Sequence, residues 1–170
     1  MLELLSEPMA TNKTHRVRGL KWAELRDTGP FEHCGPPRKR VCKKGLAYEK
    51  AVGKHLAREV KNGELEGDLY LGQWVIYCDG SGVNWAQPDI YLIMRNYILL
   101  MECKLTQSDA ATPQLLSLYL PLLRKIYNKP ILCIQVCKNL RYVPKKMIES
   151  PQELLDAPGP GIFTWHHLGD

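Results

Sequence analysis

The residues best placed to do chemistry lie between Gln87 and Lys104, in the run Gln-Pro-Asp-Ile-Tyr-Leu-Ile-Met-Arg-Asn-Tyr-Ile-Leu-Leu-Met-Glu-Cys-Lys. Two strand-like stretches, Asp89 to Met94 and Tyr97 to Leu105, flank Arg95-Asn96, a two-residue turn without the usual glycine. If the chain reverses there, Asp89 stands directly opposite Glu102, and directly opposed Cβ atoms lie roughly 4.5–5.5 Å apart. Two carboxylates at that spacing repel each other, unless a divalent cation between them turns the repulsion into ligation by hard oxygens. Lys104 follows Glu102 by two positions and so emerges on the same face, whereas Cys103 points the other way, into the core. Such a patch suits phosphodiester hydrolysis. A bound metal acidifies water and neutralises phosphate charge, and the ammonium orients the nucleophile or stabilises the transition state. Taken singly, a strand Glu-x-Lys also reads as a surface ion pair, and Asp89 after Pro88 also reads as a simple strand start. The neighbours Ile90, Leu92, Leu99 and Leu100 argue against a solvated face.

The elements that must position these residues can be read from periodicity. Gly45 opens a helical segment from Leu46 to about Lys61, closed by Asn62-Gly63. Val52 and Leu56 mark its apolar face, and Tyr48 and Val60 continue the spacing. Glu49 falls three residues before Val52 and seven before Leu56, on or beside the inward face, where a carboxylate needs a reason. A shift of one position in helical phase would make it an ordinary surface residue. A strand-like run, Leu69 to Cys78, precedes the hairpin and ends at Asp79-Gly80-Ser81-Gly82. Ala110 to Asn128 is apolar almost all round and reads as a helix buried on a sheet, with Pro113 near its start and Pro121 kinking it. Pro130 to Cys137 reads as a fully buried strand. The order is helix, three strands, helix, strand.

The flanks differ from this body. The first forty-five residues are rich in Gly-Pro steps and read as loop, with at most a short helical stretch around Lys21 to Arg26. The segment after Pro144 holds three further prolines and resists assignment. The division is then a basic extension over 1–44, a core over 45–143 and a Pro/Gly-rich tail over 144–170. The fold class expected is α/β, a central mixed sheet with helices on both faces.

The chain of 170 residues, 45% hydrophobic and 24% charged, is long enough for one buried core. No apolar run approaches the eighteen or so residues of a membrane span, and the start lacks the layout of a secretory signal. Six unevenly spaced cysteines do not read as a secreted disulfide framework, so the compartment expected is reducing and intracellular: cytoplasm, nucleoid or the host cell of a phage. Charge is uneven. Residues 11–46 carry ten basic and three acidic side chains, a net of +7, while the remainder carries thirteen basic and fifteen acidic, a net of −2. A basic arm on a near-neutral body suits a polyanionic partner, although a solvated terminus has the same composition.

Glu49 on a first helix, Pro88-Asp89 on one strand and Glu102-Cys103-Lys104 on the next resemble the PD-(D/E)XK nuclease superfamily, and the element order over residues 45–137 matches its restriction-endonuclease-like αβββαβ core. The resemblance implies a Mg²⁺- or Mn²⁺-dependent deoxyribonuclease. Asp89, Glu102 and the main-chain carbonyl of Cys103 would hold the metal, Glu49 would assist directly or through water, and Lys104 would be the catalytic lysine. Two groups within the superfamily remain open. In RecB-like exonucleases a Gln is followed four residues later by Tyr, whereas here Gln114 is followed by Leu118, with Tyr119 one place late. Compact size, the Gly45-x-x-x-Glu49 pattern and the basic arm are similar to phage and archaeal Holliday-junction resolvases, which implies a homodimer on branched DNA and a place in recombination or repair. A catalytically silent nucleic-acid-binding module is a further alternative.

Arg38, Lys39, Arg40, Lys43 and Lys44 are the expected phosphate contacts, with Gln114 facing the site or merely capping its helix. Trp85, in what reads as the loop leading to Asp89, is the best candidate for stacking on bases, ahead of Tyr91 and of Trp74, which reads as core. Cys133 and Cys137 share a strand face without zinc-knuckle spacing, and His33, Cys34 and Cys42 form only a weak metal pattern. His166 and His167 read as tail, and Gly80-Ser81-Gly82 lacks the pattern of a phosphate loop.

Overall fold

The computed structural model describes residues 16–30, 40–156, 159 and 161–169. Helix α1 (Arg40–Lys61) buries Tyr48, Val52 and Leu56 at four-residue intervals, as the periodicity requires. It begins five residues before Gly45, which sits inside it. A Cβ at Gly45 would meet nothing, so the helix passes through at a propensity cost of about 1 kcal/mol. Gly63, at φ +76°, ends the helix by donating its N–H to the Val60 carbonyl.

The run Leu69 to Cys78 is two strands rather than one. β2 (Asp68–Leu71) stops at Gly72, whose φ of +60° turns the chain out of the sheet, and β3 (Trp74–Asp79) joins a different sheet. β3 pairs with β1 (Trp22–Arg26) on one side and β4 (Gly82–Ala86) on the other, all antiparallel. The short helical stretch expected around Lys21 to Arg26 is therefore a strand. Its alternating exposure has the period of two that suits a sheet with one covered face.

The larger sheet has six strands in the order β2-β5-β6-β7-β9-β8. β5 (Ile90–Ile93) and β6 (Ile98–Thr106) form the expected hairpin, with Met94 N–H donating to Tyr97 O across the turn and Ile90 opposite Met101. β2 runs antiparallel to β5, while β7 (Ile131–Asn139) runs parallel to β6 after a helical crossover. The segment after Pro144 supplies β8 (Met147–Ile148), a short helix and β9 (Ile162–His166), which lies parallel to β7 within the sheet. Pro151 falls in the turn between β8 and the short helix, where no ladder N–H is needed.

Both faces of the large sheet are covered. α1 packs over Leu99, Met101, Ile134 and Val136. The other face, with Tyr91, Ile98 and Leu100, takes the crossover helix and the smaller sheet. This is an α/β fold with a mixed central sheet. No helix among the described residues is long and apolar enough to cross a membrane.

The crossover is one helical run with an irregular middle: α2 (Ala111–Pro113), a π-helical segment Gln114–Tyr119, and α3 (Leu120–Tyr127). Pro121 has no N–H to offer the carbonyl of Ser117, four residues back, and that carbonyl instead accepts a bond from Val17 N–H at 3.0 Å. The expected irregularity at Pro121 thus takes the form of a wide turn upstream, tied to the segment leading into β1. Asn128, in the left-handed region at φ 49°, closes α3.

Candidate functional site

Asp89, Glu102 and Lys104 are brought together by the β5–β6 hairpin. The paired register ends with Ile90 opposite Met101, and Asp89 and Glu102 are the next residue on either side of that last pair, Asp89 in a bend just before β5. Asp89 is held from two directions. Its main-chain carbonyl accepts the Gly72 N–H at 2.8 Å, where β2 turns away, and its Oδ2 accepts the Cys103 N–H at 2.9 Å. Gln87 secures the same turn by donating to Gly72 O at 2.8 Å. Glu102 is 0% exposed, and its Oε1 accepts the Lys104 ammonium at 2.7 Å. Burying two acids side by side costs far more than burying apolar residues, so the arrangement is not explained by packing.

Glu102 belongs to a row. It pairs with Gln135 on β7, and Gln135 with Thr164 on β9. Glu102, Gln135 and Thr164, all buried, therefore run as a polar stripe across the sheet, with the buried Asp89 at the end of the neighbouring hairpin arm. Gln135 donates to the Ser108 carbonyl at 2.7 Å and so anchors the loop between β6 and the crossover helix. Sequence reasoning passed over Gln135 and Thr164. The available signal was an amide in the middle of Ile-Leu-Cys-Ile-Gln-Val-Cys, a run that otherwise reads as fully apolar strand.

Electrostatics link the remaining residues to this row. Burial, and then the charges of Asp89, Glu49 and Glu102, hold the Cys103 thiol well above its ordinary range, with Lys104 opposing them. The Tyr119 phenol is raised by burial first, then by Glu102, Asp89 and Glu49. Glu49, half-buried on α1 beside Tyr48, thus acts on the same two groups as the hairpin carboxylates. Cys103 packs with the α1-side core, as its parity requires. Among the described residues, no three His, Cys, Asp or Glu side chains are grouped closely enough to hold a metal ion. The hairpin nevertheless offers oxygen donors of the type a hard cation takes, the Asp89 and Glu102 carboxylates beside the Cys103 carbonyl.

Gln114 and Tyr119 bracket the π-helical segment. With each N–H reaching five residues back, as Leu120 N–H does to Leu115 O, the turn absorbs one extra residue. Residues five apart then come closer to one face than in an α-helix, and Tyr119, five after Gln114, lies in the field of the carboxylates. Gln114 is 4% exposed, and its Oε1 has no hydrogen-bond partner.

Other expected contacts fare differently. Lys43 and Lys44 are exposed on α1, where Arg40 is the first residue; Arg38 and Lys39, like His33 and Cys34, lie outside the described residues. Trp85 is not in a loop leading to Asp89 but on β4, half-buried, edge-on to Trp74 with ring centroids 6.2 Å apart. Tyr91 is fully buried and stacked on Tyr70 at 4.8 Å, so it offers no face to a base. Cys133 and Cys137 are buried free thiols, and His167 packs edge-on against His55 and Trp165. Compared with known proteins, the chain matches no family model, no curated sequence and no solved structure.

Proposed function

We propose that this chain is a metal-dependent nuclease of the PD-(D/E)XK kind that hydrolyses phosphodiester bonds in DNA, as an endonuclease selective for branched structure. The observation that carries the reading is the buried pair Asp89–Glu102, Asp89 just before β5 and Glu102 on β6, with the Lys104 ammonium 2.7 Å from Glu102. Topology supports it. With β3–β4 taken as an insertion, α1, antiparallel β2-β5-β6, a helical crossover and parallel β7 follow the αβββαβ order.

Asp89, Glu102 and the Cys103 carbonyl would hold Mg²⁺ or Mn²⁺. When bound, the ion supplies an acidified water and neutralises charge on the phosphate. The chain supplies position. The Cys103 N–H fixes Asp89 so that its carboxylate cannot swing away from β6. Lys104 lies where its ammonium can turn from Glu102 toward the attacking water or a phosphate oxygen. Glu49 adds negative charge from α1 that favours a cation at this end of the sheet. Lys43 and Lys44, with the basic arm before them, would take backbone phosphates, so affinity should fall as salt rises.

A second reading, a DNA exonuclease of RecB-like type, is favoured by the π-helical segment, which offsets the one-residue displacement of Tyr119 from Gln114. Cleavage of end-labelled duplex, single-stranded, flap and junction DNA with Mg²⁺ separates the two. Cuts near the branch point support the endonuclease, and a ladder shrinking from the ends supports the exonuclease. Binding without metal-dependent cutting leaves a silent DNA-binding module.

A further inference from the structure

The end of β7 and the loop that follows it, residues 138–146, read Lys-Asn-Leu-Arg-Tyr-Val-Pro-Lys-Lys and hold four basic residues and no acid. It also exposes apolar surface: Leu140 is 36% exposed, Tyr142 51% and Val143 86%. Loop composition alone does not explain a valine that open to water beside a half-exposed aromatic ring.

The loop is held in place by the strand that carries Glu102 and Lys104. Gln107, just past the end of β6, is 1% exposed; its N–H donates to Asn139 O at 2.8 Å. Its side-chain Oε1 accepts the N–H groups of both Arg141 and Tyr142, at 2.9 and 3.1 Å. The Tyr142 hydroxyl donates to Asp109 Oδ1 at 2.7 Å, which tethers a side chain that stays about half exposed. From Glu102 to Gln107 is five strand residues, on the order of 16 Å. A groove of about 450 Å³ continues from Lys138 and Asn139 past Leu105 to Tyr48 and Lys44 on α1, with both lysines among its lining.

We infer that the 138–146 loop is a DNA-contacting element: Lys138, Arg141, Lys145 and Lys146 attract the backbone, and Tyr142 with Val143 stacks against or wedges beside an unpaired base. This rests on the nuclease reading for the identity of the polyanion. Basic residues around an exposed ring fit single-stranded nucleic acid, because every base offers a π face and every linkage a charge. Unpaired bases occur at branch points and ends, so the loop recognises structure rather than sequence. Because Gln107 joins the loop to β6, a base held there sets which phosphate reaches Asp89 and Glu102.

The test is fluorescence anisotropy of the full chain in EDTA, with dye-labelled single-stranded, duplex and four-way-junction DNA, for wild type, Tyr142→Ala, Tyr142→Phe and Val143→Asp. Tyr142→Ala should weaken binding to single-stranded and junction DNA about tenfold, with a smaller effect on plain duplex, while Tyr142→Phe stays near wild type. Both side chains are exposed, so thermal midpoints should not move. Wild-type affinity in Tyr142→Ala overturns the inference. Wild type that binds none of the DNAs overturns both it and the nuclease reading. Tyr142-dependent binding without metal-dependent cutting supports the loop's role and removes the catalytic one. A dimer in sedimentation that Val143→Asp disperses, at unchanged DNA affinity, overturns the inference in favour of a second copy covering the loop.

Discussion

Asp79, at the tip of the small sheet, and the Asp89–Glu102 pair, in the large one, are all buried carboxylates with different surroundings. Asp79 is 1% exposed and surrounded by donors that cost the protein little: Ser81 N–H at 2.9 Å, Ser81 hydroxyl at 2.6 Å, Asn84 amide at 3.3 Å and Arg18 N–H at 3.1 Å. These groups belong to the β3–β4 turn, the β4 strand and the segment leading into β1, and the carboxylate organises the turn as an Asx turn does. Asp89 and Glu102 are both buried at the end of the hairpin, with a main-chain N–H on one and an ammonium on the other. Asp79 is buried where the fold needs an acceptor. The hairpin pair concentrates negative charge for which packing gives no reason, and that difference is what favours it as the candidate site.

Exchanging charge for neutral amides should therefore break the two regions in opposite ways. Asp89→Asn and Glu102→Gln should each lower metal-dependent cleavage at least about 10²-fold, the scale of losing a charge-stabilising group, with stability held or raised. Cleavage rates beside urea melts check this, and a large loss of stability with proportionate activity would reverse the assignment. Asp79→Ala should do the converse. It leaves Ser81, Asn84 and Arg18 donors without their acceptor and should cost about 1–3 kcal/mol in urea unfolding, with cleavage by the folded fraction unchanged.

Alkaline pH probes the strand between the two helical layers. Burial raises the Cys133 thiol to about 12 and the Cys137 thiol to about 11, from an ordinary 9.0. Above pH 9 the unfolded chain releases these protons and the folded chain keeps them. Stability present below pH 9 should then decline as pH rises toward 11–12. Thermal midpoints between pH 8 and 10.5 should fall, less steeply in Cys133→Ala relative to its own value at pH 8. The smallest effect is expected at Gln114. Gln114→Leu removes a buried oxygen that lacks a hydrogen bond and should change stability by within about 1 kcal/mol, toward greater stability. A fall in cleavage at held stability would assign the amide to substrate.

What the sequence made legible follows from its periods. The two-residue turn at Arg95-Asn96 set the register in which Ile90 opposes Met101 and brought Asp89 to the end of the hairpin beside β6, and the four-residue spacing of Tyr48, Val52 and Leu56 placed α1. Three features stayed hidden. Gly72 looked like an interruption within one strand, because a positive φ is invisible in a residue type that adopts either sign. β9 lay in a proline-rich tail, where Ile-Phe-Thr-Trp-His is short and its partner β7 is far away in sequence. The π-helical segment has no sequence period of its own, and only the missing Pro121 N–H hinted at it. In the candidate site, charged residues could be read because their burial is costly. Gln135 and Thr164 escaped because neutral polar residues within strands are common.

The central claim is that Asp89 and Glu102 form a metal-dependent cutting centre. Its most direct test is single-turnover cleavage of an end-labelled four-way junction by wild type and Asp89→Asn, with Mg²⁺, Mn²⁺ or EDTA, both proteins first verified as folded by circular dichroism. The account predicts Mg²⁺- or Mn²⁺-dependent cuts by wild type that EDTA abolishes and Asp89→Asn loses. Cutting by Asp89→Asn at the wild-type rate, or no cutting by wild type on any DNA with either metal, would contradict it.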